Sequence, residues 1–182
     1  MGSDNPVGAD NQQERLIQLG WVIGFVDGEG CFSISFVRQQ DGVGRRGYKL
    51  GYQVAARFVV SQGARSVAAL EELEEFFQVG KVYGNHRHDN HREHMHQYVV
   101  SDRWDLLETV VPFFERFPLR SAKREDFTKF AHVLRMMDAG LHLTPQGLVE
   151  IAEITETMNR QKPRAELIRI LRGHTPNIQG TG

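Results

Sequence analysis

Residues 14–38 place the strongest constraint on the fold. From Glu14 to Asp27, the apolar residues Leu16, Ile17, Leu19, Trp21, Val22, Ile23, Phe25 and Val26 fill nearly every side of a helix. A helix that is apolar all round has to be buried on several sides. Gly20, Gly24 and Gly28 recur every four residues and so form one stripe. Each mid-helix glycine costs about 1 kcal/mol relative to alanine, so the stripe implies close approach of another backbone. Gly28-Glu29-Gly30 stops the helix, and the period changes to two. Phe32, Ile34 and Phe36 then share one face of a strand, and Cys31, Ser33, Ser35 and Val37 share the other. Such a strand has one core face and one open face.

The rest of the chain repeats this logic. A glycine-rich loop at 39–47 leads to a second strand from about Tyr48 to Ser61, where Tyr52, Val54, Ala56, Phe58 and Val60 alternate with Gln53, Ala55, Arg57 and Val59. Ser66–Gln78 reads as an amphipathic helix with four glutamates on its wet face. Lys81–Arg87 and Met95–Ser101 form a second hairpin, and Asp102–Phe117 and Ser121–Met137 are further helices. The order α-β-β-α-β-β-α predicts an α+β fold: a four-stranded antiparallel saddle with helices on one face and the other face open. The predicted organisation is a disordered tail at 1–13, a core at 14–137, a C-terminal helical extension at 138–172 and a tail at 173–182. The extension carries helices at about Thr144–Asn159 and Arg164–Arg172.

Composition narrows the function classes. The net charge of −1 argues against simple coating of nucleic acid, yet the charges are segregated. Arg38, Arg45, Arg46, Lys49, Arg57 and Arg65 face one acid, Asp41, across residues 38–65, whereas Glu71, Glu72, Glu74 and Glu75 cluster elsewhere. No apolar run approaches a membrane span of roughly 18 residues, and the polar N-terminus does not read as a signal peptide. The single cysteine, Cys31, points to a reducing compartment. His86, His88, His91, His94 and His96 do not follow a standard zinc framework and read as a polar hairpin loop.

Chemistry concentrates at 27–30. Asp27 and Glu29 lie at a helix C-terminus, where the macrodipole disfavours acids. One reading is a glycine C-cap with two solvated acids. The other is a hard-oxygen site for Mg²⁺ or Ca²⁺, built from a carboxylate beside free helix carbonyls.

The run Trp21-Val22-Ile23-Gly24-Phe25-Val26-Asp27-Gly28-Glu29-Gly30-Cys31-Phe32 resembles the LAGLIDADG motif of homing endonucleases, with Gly24, Asp27, Glu29 and Gly30 in register. The final acid is Glu rather than the commoner Asp. The element order resembles the family fold across 14–137, and Leu143–Leu148 with Met158-Asn159 is similar to the C-terminal helices of intron-encoded members. Phe58–Gln62 resembles the end of the family's second strand, and Pro118–Lys123 the segment that delivers a catalytic-pocket lysine.

The resemblance implies a site-specific, metal-dependent DNA endonuclease that makes a staggered double-strand break with 3′ overhangs in a long, near-palindromic target. It implies catalytic roles for Glu29, Gln62 and Lys123, and Mg²⁺ held by Glu29 and the Gly28 carbonyl. Mn²⁺ is an alternative, and Ca²⁺ is expected to support binding without cleavage. Asp27 is expected to be structural. One motif copy implies a homodimer packed on Gly20, Trp21, Gly24 and Phe25, with no membrane association. Strand parity points Ser33, Ser35, Gln53 and Arg57 at double-stranded DNA, joined by Tyr83, Asn85, Arg87 and Gln97 from the second hairpin. Arg38, Arg45, Arg46 and Lys49 are expected on phosphates or outer bases, and Arg65 near the basic pocket. Rival functions on the same fold are an RNA maturase aiding intron splicing and a catalytically silent DNA-binding regulator. Seventeen Arg against five Lys suggest a GC-rich host, hence a bacterial or archaeal cytoplasm rather than an organelle.

Overall fold

The computed structural model describes residues 7–38, 51–85, 94–159 and 164–173. Helix α1 spans Val7–Glu29 and runs without a loop into β1, Gly30–Arg38. Strand β2 spans Tyr52–Gly63, and a 3₁₀ turn at Ala64–Ser66 leads to α2, Val67–Phe77. Strands β3, Lys81–Asn85, and β4, Met95–Val100, complete one antiparallel sheet in the order β1-β2-β4-β3. Helices α3, Arg103–Asp105, and α4, Val111–Arg116, follow, and then α5, Lys123–Asp138, α6, Pro145–Glu156, and α7, Ala165–Gly173. The α+β order and the four-stranded antiparallel sheet agree with the sequence reading.

The direct join of α1 to β1 depends on Gly30. A Cβ there would lie 2.7 Å from both the Val26 carbonyl oxygen and Val26 Cγ1, so only glycine lets the strand leave so close to the helix end. The register then fixes the faces. Gly30 pairs with Val60, Ser33 with Arg57 and Ser35 with Ala55. Phe32, Ile34, Val54, Ala56, Phe58, Val60, Tyr98 and Val100 are buried under the helices. Phe32 stacks on Phe58 at 5.1 Å and meets Phe114, Phe127 and Phe130 between 5.2 and 5.6 Å.

Both sheet edges are closed by side chains. On β3, Glu74 accepts from the Val82 backbone amide at 3.0 Å and from Lys81 Nζ at 3.1 Å. On β1, Asn159 Nδ2 donates to the Phe32 carbonyl at 3.0 Å, and Arg164 Nη2 to the Ile34 carbonyl at 3.1 Å. An unpaired edge is a template for further strand addition, so these bonds protect the sheet. The C-terminal extension is thereby latched to the strand that follows the motif.

Two expectations are corrected, and a third is met only in part of its range. The tail expected at 1–13 is helical from Val7, because helix formers such as Ala9, Gln12 and Gln13 extend a helix already anchored by the buried Val22 and Val26. The single helix expected over 102–117 is divided by a π-helical turn, Leu106–Val110. Pro112 lacks an amide hydrogen and crowds the carbonyl four residues back, which favours the wider turn. Strand β2 starts at Tyr52; the stretch 48–50 lies outside the described residues.

Candidate active site and nucleic-acid face

Glu29 is the last residue of α1, and both it and Gly28 are exposed. Lys123, half-buried at the start of α5, reaches the same point. Its Nζ donates to the Asp27 carbonyl at 2.9 Å and also to the Gly28 carbonyl. The helix C-terminus carries unsatisfied carbonyls and the negative end of the macrodipole, so a cation is stabilised there.

Asp27 explains why Lys123 is in reach. Its carboxylate accepts from the Arg120 amide at 3.2 Å, from the Ser121 amide at 3.1 Å and from Ser121 Oγ at 2.6 Å. Ser121 Oγ in turn accepts from the Lys123 amide at 3.2 Å. Burial pushes the Asp27 carboxyl up, but the bonds from Ser121 and Arg120, with Lys123 nearby, outweigh it and hold its pKa below the ordinary 3.8. The resulting stability is fully present above 3.8 and is lost as the pH falls through the lower folded value. Asp27→Asn should therefore flatten the acid limb of the unfolding profile and misplace Lys123. Urea midpoints between pH 2 and 6 test this; an acid limb identical to wild type would show that another carboxylate is responsible.

Gln62 lies two residues beyond Val60, the partner of Gly30, and so at the same end of the sheet as Glu29. Its parity places it on the helix side of β2, in register with His96, and not on the open face with Arg57. Arg65 is exposed in the 3₁₀ turn beyond.

The open face carries Ser33 and Ser35 from β1, with Gln53 and Arg57 from β2; Arg38, in register with Tyr52, falls by parity on the other side, exposed at the end of β1. Arg57 is exposed, whereas the serines spend their hydroxyls across the strand pair, Ser33 Oγ to the Arg57 carbonyl and Ser35 Oγ to the Ala55 carbonyl, each at 3.4 Å. Beside them run two rows, Cys31-Val59-Val99-Lys81 and Ser61-Gln97-Tyr83. Gln97 Nε2 donates to Ser61 Oγ at 3.1 Å, and Tyr83 is 57% exposed. Asn85 lies on β3 at the row beyond, opposite Met95. Arg45, Arg46, Lys49 and Arg87 lie outside the described residues, as do His86, His88 and His91. Alternation places Val59 on the open face, but it does not show which apolar residue of another strand becomes its neighbour; the register makes it Val99. The pair offers an apolar contact of the kind that suits a thymine methyl group.

The remaining face of α1 is bare. Gly20, Gly24 and Gly28 have nothing within 4 Å of an added Cβ, and Leu16 and Ile17 are 61% and 65% exposed. Trp21 and Phe25 stack at 5.2 Å and stay partly exposed beside this stripe.

The end of the motif helix from residue 22, the carboxylate there and the sheet beyond it fall within one family match: the LAGLIDADG endonuclease profile covers residues 22–134. The chain belongs to the LAGLIDADG endonuclease family. Among solved structures, the homing endonuclease I-TnaI is 38% identical with a TM-score of 0.71, covering 85% of this chain and 96% of that one. I-SmaMI, a LAGLIDADG homing endonuclease solved with cleaved DNA, is 26% identical with a TM-score of 0.71, over 88% of this chain and 50% of that one. The probable intron-encoded endonuclease 2 of Neurospora crassa is 26% identical over 140 residues, 76% of this chain. The match spans only about a quarter of that relative's length (26%).

The relatives overturn the expectation of a bacterial or archaeal cytoplasm. They are fungal proteins, three named as probable intron-encoded endonucleases and one as a protein in an ND4 intron, so the likeness runs to fungal introns and not to a bacterial or archaeal cytoplasm. The excess of Arg was a poor guide. Its planar fork is favoured wherever phosphates and bases are contacted, so in a LAGLIDADG protein Arg does not report genomic base composition.

Proposed function

We propose that this chain is a site-specific DNA endonuclease acting as a homodimer, with Glu29 at the reacting centre and the open sheet face in the major groove. The observation that carries this reading is the meeting, at one helix end, of the Glu29 backbone segment, the Gly28 carbonyl and the Lys123 ammonium. That meeting point lies at the margin of a sheet face bearing Arg57, Gln53 and Tyr83.

The donor set fits a divalent cation as half of a site. Carboxylate and carbonyl oxygens are the hard ligands of Mg²⁺ or Ca²⁺, and the carbonyls already take a positive charge from Lys123. Among the described residues, no group of three His, Cys, Asp or Glu side chains forms a closed metal site. Glu29 and Gly28 would hold the ion, with a second copy, DNA and water completing its shell. Bound there, Mg²⁺ supplies Lewis-acid charge at the scissile phosphodiester. I-SmaMI has been solved with uncleaved DNA in the presence of calcium ions, which supports Ca²⁺ as a binding but non-cleaving ion here. Lys123 places an ammonium where negative charge develops on phosphate oxygens, and Gln62 orients water from the same end of the sheet. Incubation with a plasmid carrying the joined sequences that flank the gene tests this. Cleavage is expected in Mg²⁺ and not in EDTA; EDTA-resistant cutting would remove the metal from the mechanism.

The homodimer explains the bare stripe on α1. Two glycine stripes can pack at a two-fold axis and bring two Glu29 carboxylates together. I-SmaMI, matched over only half its length, has room for a second unit of this size in one chain, whereas I-TnaI does not. Because no atom lies within 4 Å of a Cβ at position 24, Gly24→Leu should leave the isolated fold intact while blocking association. Light scattering should show wild type as a dimer and the variant as a folded monomer. A dimeric variant would place the interface elsewhere.

Arg57 is mid-strand and exposed, so a bidentate contact to guanine is within its reach. Arg57→Ala should cost about 1–3 kcal/mol at one base position per half-site. Binding-site selection reads this directly, and an unchanged base preference at every position would mean that the groove face is misassigned.

A further inference from the structure

Lys123 occupies one of the oxygens that the proposed divalent cation would need. Its ammonium bonds the Asp27 carbonyl at 2.9 Å and the Gly28 carbonyl, and Gly28 is the backbone ligand assigned above. The lysine is held there at its base as well. Asp27 grips Ser121, and Ser121 Oγ accepts from the Lys123 amide at 3.2 Å, so the tether is rooted in the same helix end that the ammonium caps. An ammonium and a doubly charged ion on neighbouring oxygens repel each other strongly in a partly buried setting.

We propose that Lys123 is a tethered cation that holds the Gly28 carbonyl in the DNA-free protein and releases it to a divalent ion when a phosphodiester arrives. A phosphate oxygen is a charged acceptor and bonds an ammonium more strongly than a neutral carbonyl does. DNA therefore draws Lys123 off the helix end, frees the Gly28 lone pair and adds negative charge beside Glu29. Cation and DNA binding become positively coupled, and linkage requires the cation to raise DNA affinity by the same factor. The device keeps the reacting centre poor in metal until a target is bound. This inference rests on the assignment of Glu29 and Gly28 as the cation's ligands.

The test is calorimetric titration of the full chain with Ca²⁺, which is expected to bind without cutting. It is run with and without a duplex taken from binding-site selection. Lys123→Met and Lys123→Gln should each bind Ca²⁺ at least about fivefold more tightly than wild type without DNA, and the DNA-induced gain should shrink by the same factor. Arg124→Gln removes a charge from the same helix turn without a bond to either carbonyl, and should leave both quantities unchanged. Glu29→Gln reports on the underlying assignment and should lose Ca²⁺ binding. If Glu29→Gln loses Ca²⁺ while both Lys123 variants bind it as wild type does, the tether is overturned and Glu29 stands. If Glu29→Gln binds Ca²⁺ normally, the ligand assignment itself fails. An equal rise in Arg124→Gln would reduce the effect to general charge and also overturn the tether.

Discussion

Glu29→Gln should abolish cleavage while leaving DNA affinity within a few-fold of wild type. Gln preserves the size of the side chain and removes the charge that, on the proposed function, would hold a divalent ion at the end of α1. Glu29 is exposed at a helix terminus and packs into no core, so the loss should be chemical rather than structural. Removing one element of transition-state charge stabilisation costs on the order of 10²–10³-fold in rate, and a lost metal ligand should cost at least that. In metal-free buffer the variant dimer should be slightly more stable, because two apposed carboxylates repel and two amides do not. Single-turnover cleavage and equilibrium binding measured side by side separate these effects. Wild-type cutting by Glu29→Gln would remove Glu29 from the mechanism.

The largest loss of stability should come from Phe32→Ala. Phe32 is fully buried, stacks on Phe58 at 5.1 Å and meets the edges of Phe114 and Phe127 at 5.6 and 5.2 Å. Its backbone carbonyl also receives the Asn159 latch. Truncating a buried Phe to Ala costs about 3–5 kcal/mol, a large share of the 5–15 kcal/mol typical of a whole domain. Phe32 sits three residues after Glu29, so the cavity opens directly under the start of β1. Urea unfolding should show a lower midpoint, and residual folded protein should bind DNA with weakened selectivity at the bases read from β1. A loss below about 1 kcal/mol would be that of an ordinary surface substitution and would mean that the aromatic cluster is not the core.

The parts legible in the sequence were those written in local pattern. The change of period at Gly30 marked the passage from α1 to β1, and parity placed Ser33 and Arg57 on the open face, where the register sets them opposite each other. The structure adds why Gly30 is needed, through the approach of Val26, which composition does not reveal. What stayed hidden was made by side chains reaching backbone far away in sequence. Asp27 bonds Ser121, 94 residues on, and Arg164 bonds the Ile34 carbonyl across 130 residues. Such bonds leave no period to read. Parity puts Gln62 on the helix side of β2 with Phe58 and Val60, and only the register shows that its place along the strand is level with the end of α1. The helical start at Val7 was missed because a polar segment gains its order from the helix it extends, not from its own composition.

End mapping of DNA cut from a randomised library in Mg²⁺ tests the central assignment most directly, since one experiment reads nuclease activity, specificity and symmetry. The expected result is one dominant, near-palindromic sequence cut at a fixed central position, leaving 3′ overhangs whose two cuts are related by the two-fold axis of paired Glu29 residues. Cuts scattered without sequence preference, or fixed cuts in a site with no two-fold relation between its halves, would contradict a homodimer reading DNA from the open sheet face.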